Sequence, residues 1–159
     1  MLHVFDTSVL KWAYIPNKFH RRCRYILRRL KGSVFIAEIS VLEIVSTFGS
    51  LYRDNKISLG QYQLAEDGFF RDLADGLIEV RCLAATEFLA CRNLLALVGF
   101  QRGRNLRSQD GIIAYTARQL AVENKTMVRL LTSDKKFANL LREVDVFKRL
   151  VMPEYLDPK

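Results

Sequence analysis

Histidine is scarce in this chain, with two among 159 residues. Neither His3 nor His20 stands in a Ser–His–Asp or zinc-type pattern, so histidine-driven nucleophilic catalysis and a zinc centre are not expected. Cysteine is nearly as rare. Cys23, Cys82 and Cys91 are odd in number and lack metal-ligand spacing, and they read as reduced, mostly packed thiols of a cytosolic protein. No run of about eighteen apolar residues exists, so no membrane span is expected. The opening MLHVFD has no basic stretch and no long apolar stretch, and no signal peptide is expected. Repeats, low-complexity tracts and interdomain linkers are missing as well. One domain over residues 1–150 with an extended tail over 151–159 is the expected organisation.

A further absence is local. Residues 7–37 contain no acid, yet they hold eight bases: Lys11, Lys18, Arg21, Arg22, Arg24, Arg28, Arg29 and Lys31. The remaining seventeen bases face seventeen acids, so the whole net charge of +8 belongs to this segment. A concentrated basic face attracts a polyanion, either nucleic acid or an acidic protein. A solvated helix surface is the plain alternative.

What is present alternates short apolar strands with amphipathic helices. Residues 2–5 read as a buried strand, followed by a short helix that Thr7 or Ser8 caps and Pro16 ends. Phe19, Cys23, Ile26, Leu27 and Leu30 form an apolar helical stripe, and Gly32 closes that helix. A second strand is expected over 33–37 and a helix from Glu38 to about Asp54. Ser58-x-x-Gln61 is a capping box for a helix through about Ala74. A third strand over 77–83 precedes a helix from Ala84 to about Val98, and Gly99–Arg107 reads as a loop. A helix from Ser108 to Glu123, a strand over 128–132, a short helix over 135–142 and a last strand over 144–147 complete the pattern. Such alternation predicts an α/β fold with a mostly parallel sheet, whose ligands bind beyond the C-terminal strand ends.

Four acids occupy expensive places. Asp6, Glu43, Asp110 and Asp134 are each embedded in, or abut, an apolar run. A carboxylate in such surroundings must be protonated, paired or coordinating a cation. Taken singly, Asp6, Asp110 and Asp134 could be helix caps, and Glu43 could face solvent. Taken together they describe one acidic pocket suited to oxygen-ligated Mg²⁺ or Mn²⁺, which can support phosphodiester hydrolysis. Arg102, Arg104 and Arg107, on the loop before Asp110, are candidates to hold substrate phosphates.

The motifs around these acids resemble those of PIN-domain ribonucleases, particularly the VapC-like toxins. VFDTSVL is similar to the family's first motif, ISVLEIVSTFG to the helix carrying its second acid, SQDGIIAYTA to the third motif and LLTSDKKF to the fourth. The match runs from residue 2 to about residue 140. The resemblance implies a three-layer α/β/α sandwich with a central mostly parallel sheet and a metal-dependent endoribonuclease acting on RNA. Asp6, Glu43, Asp110 and Asp134 would be the catalytic, metal-binding acids, with Thr7, Ser8, Thr132 and Ser133 supporting them. It also implies an antitoxin partner and a homodimer. Arg21, Arg22, Arg28 and Arg29 then join Arg102, Arg104 and Arg107 as candidate RNA contacts. Gly111 stands where an alanine-like residue is more usual, with little consequence expected.

Two other readings compete. A phosphoaspartate domain of receiver or phosphatase type also places acids at strand ends. It would want a second acid beside Asp6, or an Asp at the position of Ser8, and it leaves Glu43 unexplained. A non-catalytic nucleic-acid binder on the same scaffold would have no use for all four acids.

Overall fold

The computed structural model describes residues 1–102 and 106–157, backbone alone at 101 and 102. Five strands form one sheet: β1 (Leu2–Phe5), β2 (Val34–Ala37), β3 (Glu79–Arg81), β4 (Val128–Thr132) and β5 (Val151–Tyr155). Their order is β3-β2-β1-β4-β5, and every pairing is parallel. The chain therefore builds outward from β1 in one direction and then returns to extend the sheet from β1 in the other. The switch falls between β1 and β4, where a parallel α/β sheet leaves a crevice at its C-terminal edge.

Eight helices cover the sheet among the described residues: α1 (Thr7–Leu10), α2 (His20–Arg29), α3 (Glu38–Arg53), α4 (Leu59–Ala74), α5 (Ala85–Arg102), α6 (Ser108–Glu123), α7 (Lys135–Glu143) and α8 (Asp145–Lys148). Strand residues alternate between two cores, as the period of two requires. Phe5, Val34, Ile36 and Leu131 face the layer containing α1 to α4. Val4, Ala37, Leu130 and Val128 face the layer of α6, α7 and α8. The three-layer α/β/α sandwich is thus present, with a sheet that is parallel throughout. Phe5, Phe48, Phe69 and Phe147 are fully buried, each stabilising the fold by roughly 1.5–3 kcal/mol.

Local signals explain the helix limits. On α3, Ser40, Ile44 and Phe48 recur every fourth residue and are its buried face. On α4, the Ser58 side chain accepts from the Gln61 N–H at 3.2 Å, and the Gln61 side chain accepts from the Ser58 N–H at 2.8 Å, completing the expected capping box. Gly76, with φ +65°, supplies the left-handed residue after the α4 cap.

Four expectations need correction. Residues 144–147 are not a strand: Asp145–Lys148 is a helical turn that buries Phe147. The fifth strand lies instead in the segment read as an extended tail. Pro153 cannot donate to a ladder, which obscures a strand in the sequence, but β5 is at the sheet edge, where proline is tolerated. The helix expected to stop near Val98 continues to Arg102. Asp6 and Arg107, rather than Thr7, Ser8 and Ser108, occupy the N-cap positions of α1 and α6.

Candidate metal-dependent active site

All four acids face one cavity of about 170 Å³ at the C-terminal edge of β1 and β4. Asp6 follows β1 directly, and its N–H continues the ladder by donating to the Leu131 carbonyl at 2.9 Å. Asp134 lies two residues beyond β4. Asp110 enters from the first turn of α6, and Glu43 from α3. The switch point of the sheet therefore gathers acids that are up to 128 residues apart in sequence.

Hydroxyls hold two of these carboxylates in place. Asp6 is only 6% exposed. Its Oδ2 accepts from Ser8 Oγ at 2.5 Å and from Thr132 Oγ1 at 2.6 Å. Thr132 Oγ1 in turn accepts the Asp134 N–H at 3.0 Å, and Ser8 Oγ accepts the Ser133 N–H at 3.0 Å. Each hydroxyl spends its one proton on Asp6 and its lone pairs on the β4 end, which locks the two strand ends together. Ser133 Oγ adds a bond to the Ser8 carbonyl at 3.3 Å. Thr7 Oγ1 donates to Glu43 Oε2 at 2.8 Å, tying α3 to the same edge. Thr7, Ser8, Thr132 and Ser133 thus all orient the acids or the strand ends that bear them.

Asp134 does two things. Its Oδ1 accepts from the N–H groups of Lys136 and Phe137 at 2.8 and 3.0 Å, so the helix-cap reading is realised at the start of α7. It also faces the shared cavity. Asp110 is pushed up to about pKa 6, first by desolvation, then by the negative charges of Asp6 and Asp134, with Glu43 adding to them and Arg107 opposing. That the other three acids all act on Asp110 is an electrostatic sign of one shared site.

The donor set suits a hard divalent cation, since all four groups are carboxylates and the cavity has room for water. Among the described residues, no three His, Cys, Asp or Glu side chains converge on a single point. Mg²⁺ commonly binds through one or two carboxylates and keeps several waters, so a set of acids spread around a wet cavity still fits it.

Positive charge rings the acids. Arg107 and Lys11 both line the cavity. Lys136 lines an adjoining cavity that shares Asp110 and Asp134. Lys136 escaped the sequence reading because an exposed lysine beside an apolar run looks like any solvated face, and Lys11 was counted only within the basic segment. Arg21, Arg22, Arg28 and Arg29 do not line either cavity. They are exposed on α2, and Arg29 donates to Tyr25 Oη at 2.7 Å. Arg104 and the side chain of Arg102 lie outside the described residues.

The expectation for Gly111 needs revising. A Cβ there would come within 2.1 Å of Leu95 Cδ2, so alanine would require the Leu95 side chain to move. The glycine lets α5 and α6 approach closely next to Asp110.

Among the described residues no helix is long and apolar enough to cross a membrane. A search of curated proteins returns no match. Solved structures with a similar fold include VapBC2 from Rickettsia felis bound to a DNA fragment from their promoter, at 21% identity and TM-score 0.62, covering 99% of this chain and 100% of the other. FitAcB from Neisseria gonorrhoeae is similar at 15% identity and TM-score 0.67, covering 95% and 96%. FitAB bound to an IR36 DNA fragment aligns at 14% identity and TM-score 0.66, covering 96% and 94%. At these identities the likeness is one of fold. The family model for the PIN domain matches residues 3–142, and with the parallel five-stranded sheet this shows that the chain belongs to the PIN domain family.

Proposed function

We propose that this protein is a metal-dependent endoribonuclease that uses Mg²⁺ or Mn²⁺ at Asp6, Glu43, Asp110 and Asp134. The observation that carries the reading is the cavity at the switch point. It is lined by four carboxylates, of which Asp6 and Glu43 are oriented by hydroxyls and Asp134 by backbone N–H groups, and, among the described residues, none is bonded to a cationic side chain. A divalent cation held there supplies Lewis acidity for activating water and stabilising a leaving oxygen. The chain's own residues do the rest. Ser8 and Thr132 fix the Asp6 carboxylate, Thr7 fixes Glu43, and the first turn of α7 fixes Asp134. Lys11 and Arg107 hold backbone phosphates against an otherwise repulsive acidic floor. The exposed arginines of α2 extend the positive field beyond the cavity.

A toxin role, with an antitoxin as protein partner, a homodimeric state and a cytoplasmic location, belongs to the same proposal. It is supported by the VapC-like motifs and by likeness in fold to chains of VapBC2 and FitAB. The phosphoaspartate reading is weaker, because it gives Glu43 no task although Thr7 orients it into the cavity.

Purified protein incubated with single-stranded RNA oligomers should produce cleavage with Mg²⁺ or Mn²⁺ and none with EDTA. Asp6→Asn should lower the rate by on the order of 10³-fold, the scale of several kcal/mol of lost charge stabilisation. Cleavage that persists in EDTA, or full activity of the variant, would sink the proposal.

A further inference from the structure

A second cavity, of about 320 Å³, opens beside the acidic one and shares Asp110 and Asp134 with it. It lies between the start of α6 and α7. Leu106, Phe137 and Leu140 give it apolar walls, and Arg107, Lys136 and Asn139 give it polar ones. Its volume is at the lower end of the range for small-molecule pockets, and apolar walls with a few polar groups are the usual make-up of such sites. A nucleic acid strand with one phosphate over the shared carboxylates has a neighbouring base within reach of this space.

The polarity of the cavity is set by an arginine outside it. Arg142 Nη1 donates to Asn139 Oδ1 at 3.0 Å, and its Nη2 donates to the Pro153 carbonyl at 3.1 Å, anchoring the guanidinium to β5. A guanidinium has no acceptor, so the amide oxygen of Asn139 must face Arg142 and its NH₂ is left over. Lys136 and Arg107 have only donors to give, and neither makes an ion pair among the described residues. Glu143, on the same wall, has a partner of its own. Asp110 and Asp134 also line this cavity, but in the nuclease reading their free oxygens face the cation, so the groups left to a base on the α7 wall are donors. Guanine shows two acceptors, O6 and N7, along one edge, whereas adenine replaces O6 with a donating amino group.

We propose that the cavity between α6 and α7 is a nucleobase subsite for guanine next to the scissile phosphate, read at O6 and N7 by the Asn139 amide and the Lys136 ammonium. The site rests on the nuclease reading and adds a substrate preference to it. Arg142 is a positioning residue that orients Asn139 without touching the base.

Two readouts test it independently. The first is the position of cuts in RNA of mixed sequence. Wild-type protein should favour bonds next to guanine over those next to adenine by about tenfold, within the range for a good paired contact. Asn139→Ala should flatten that ratio. Asn139→Asp, which can only accept, should shift it toward adenine, and thermal melting checks that both variants fold. The second readout needs no cleavage. Titration of wild-type protein with guanosine 5′-monophosphate should shift the backbone amide resonances of Asn139 and Leu140, with about tenfold tighter binding than adenosine 5′-monophosphate. The two nucleotides carry the same phosphate, so its contribution cancels. Equal responses, shifts elsewhere, or a cleavage ratio unmoved by Asn139→Asp overturn the subsite even if RNA is cut. Guanine-selective shifts on α7 with no cleavage of any RNA uphold the subsite and defeat the nuclease reading instead.

Discussion

Asp6 and Asp72 are equally buried, each 6% exposed, and they live under opposite rules. Asp72, on α4, is satisfied from within the fold. Tyr14 Oη donates to its Oδ2 at 2.8 Å, and the Arg24 guanidinium of α2 forms an ion pair with it. The tyrosine hydroxyl beside it is pushed far up in pKa by burial and by the Asp72 charge, so it stays a donor. Asp6 receives two hydroxyl protons and no cation from the protein, and three more carboxylates share its cavity. A buried acid that is neutralised locally serves the fold. A buried acid grouped with three more around one cavity, and left without a cation, is maintained for something that arrives from outside.

That contrast can be tested by exchanging the consequences. Asp6→Asn should remove nearly all RNA cleavage while leaving the melting temperature within a few degrees of wild type, since no ion pair is lost. A large fall in melting temperature would mean that Asp6 is structural too. Asp72→Ala should do the reverse. It strands Arg24, and because that arginine is partly exposed the cost is put at about 2–4 kcal/mol, a little under the full range for a broken buried pair. This corresponds to a melting temperature roughly 5–15 °C lower, with cleavage by the folded fraction retained. An unchanged melting curve would show that the Asp72 pair contributes nothing.

Thr132→Val is a finer cut. It keeps the shape of a fully buried side chain and removes the hydroxyl that links Asp6 to the Asp134 N–H. Loss of an orienting partner behind a metal ligand should weaken Mn²⁺ affinity by about 10–100-fold, measured by calorimetry. Affinity equal to wild type would reduce Thr132 to a packing role.

The smallest effect concerns Asp110. Its carboxyl titrates near 6 in the fold against a usual 3.8, so between those values the folded state holds the extra proton. Stability should therefore fall as pH rises through that window, and the cost of the charge is fully present above about pH 6. In EDTA at pH 8, Asp110→Asn should be more stable than wild type by roughly 1–2 kcal/mol, allowing for solvent screening of a partly exposed group. The gain should vanish near pH 4. A variant less stable than wild type at pH 8 would contradict the shared-charge picture.

Much of this was legible in the amino-acid order, for reasons that differ by residue. Asp6 and Asp134 were readable because a short apolar run ends beside each, and strand ends of a parallel sheet are where sites form. Glu43 became readable only through its motif, since a mid-helix acid has no local mark of direction. Asp72 was not separable from a surface acid. Its partner Arg24 lies 48 residues earlier, in a segment whose bases look uncompensated when counted along the chain. The other exposed arginines of α2 keep that unbalanced character. β5 was hidden by Pro153, whose effect depends on whether the strand is at an edge. The cavity beside α7 was hidden because Arg142 and Asn139 mean little until β5 supplies the Pro153 carbonyl that holds them.

The bond from Thr132 to Asp6 closes a loop of 126 residues. During synthesis, Asp6 leaves the ribosome more than a hundred residues before the strand that completes its surroundings. A chain interrupted anywhere before β4 lacks Asp134 and has no Thr132 to hold Asp6. The same topology that assembles the centre therefore leaves every copy that stops short of β4 without it.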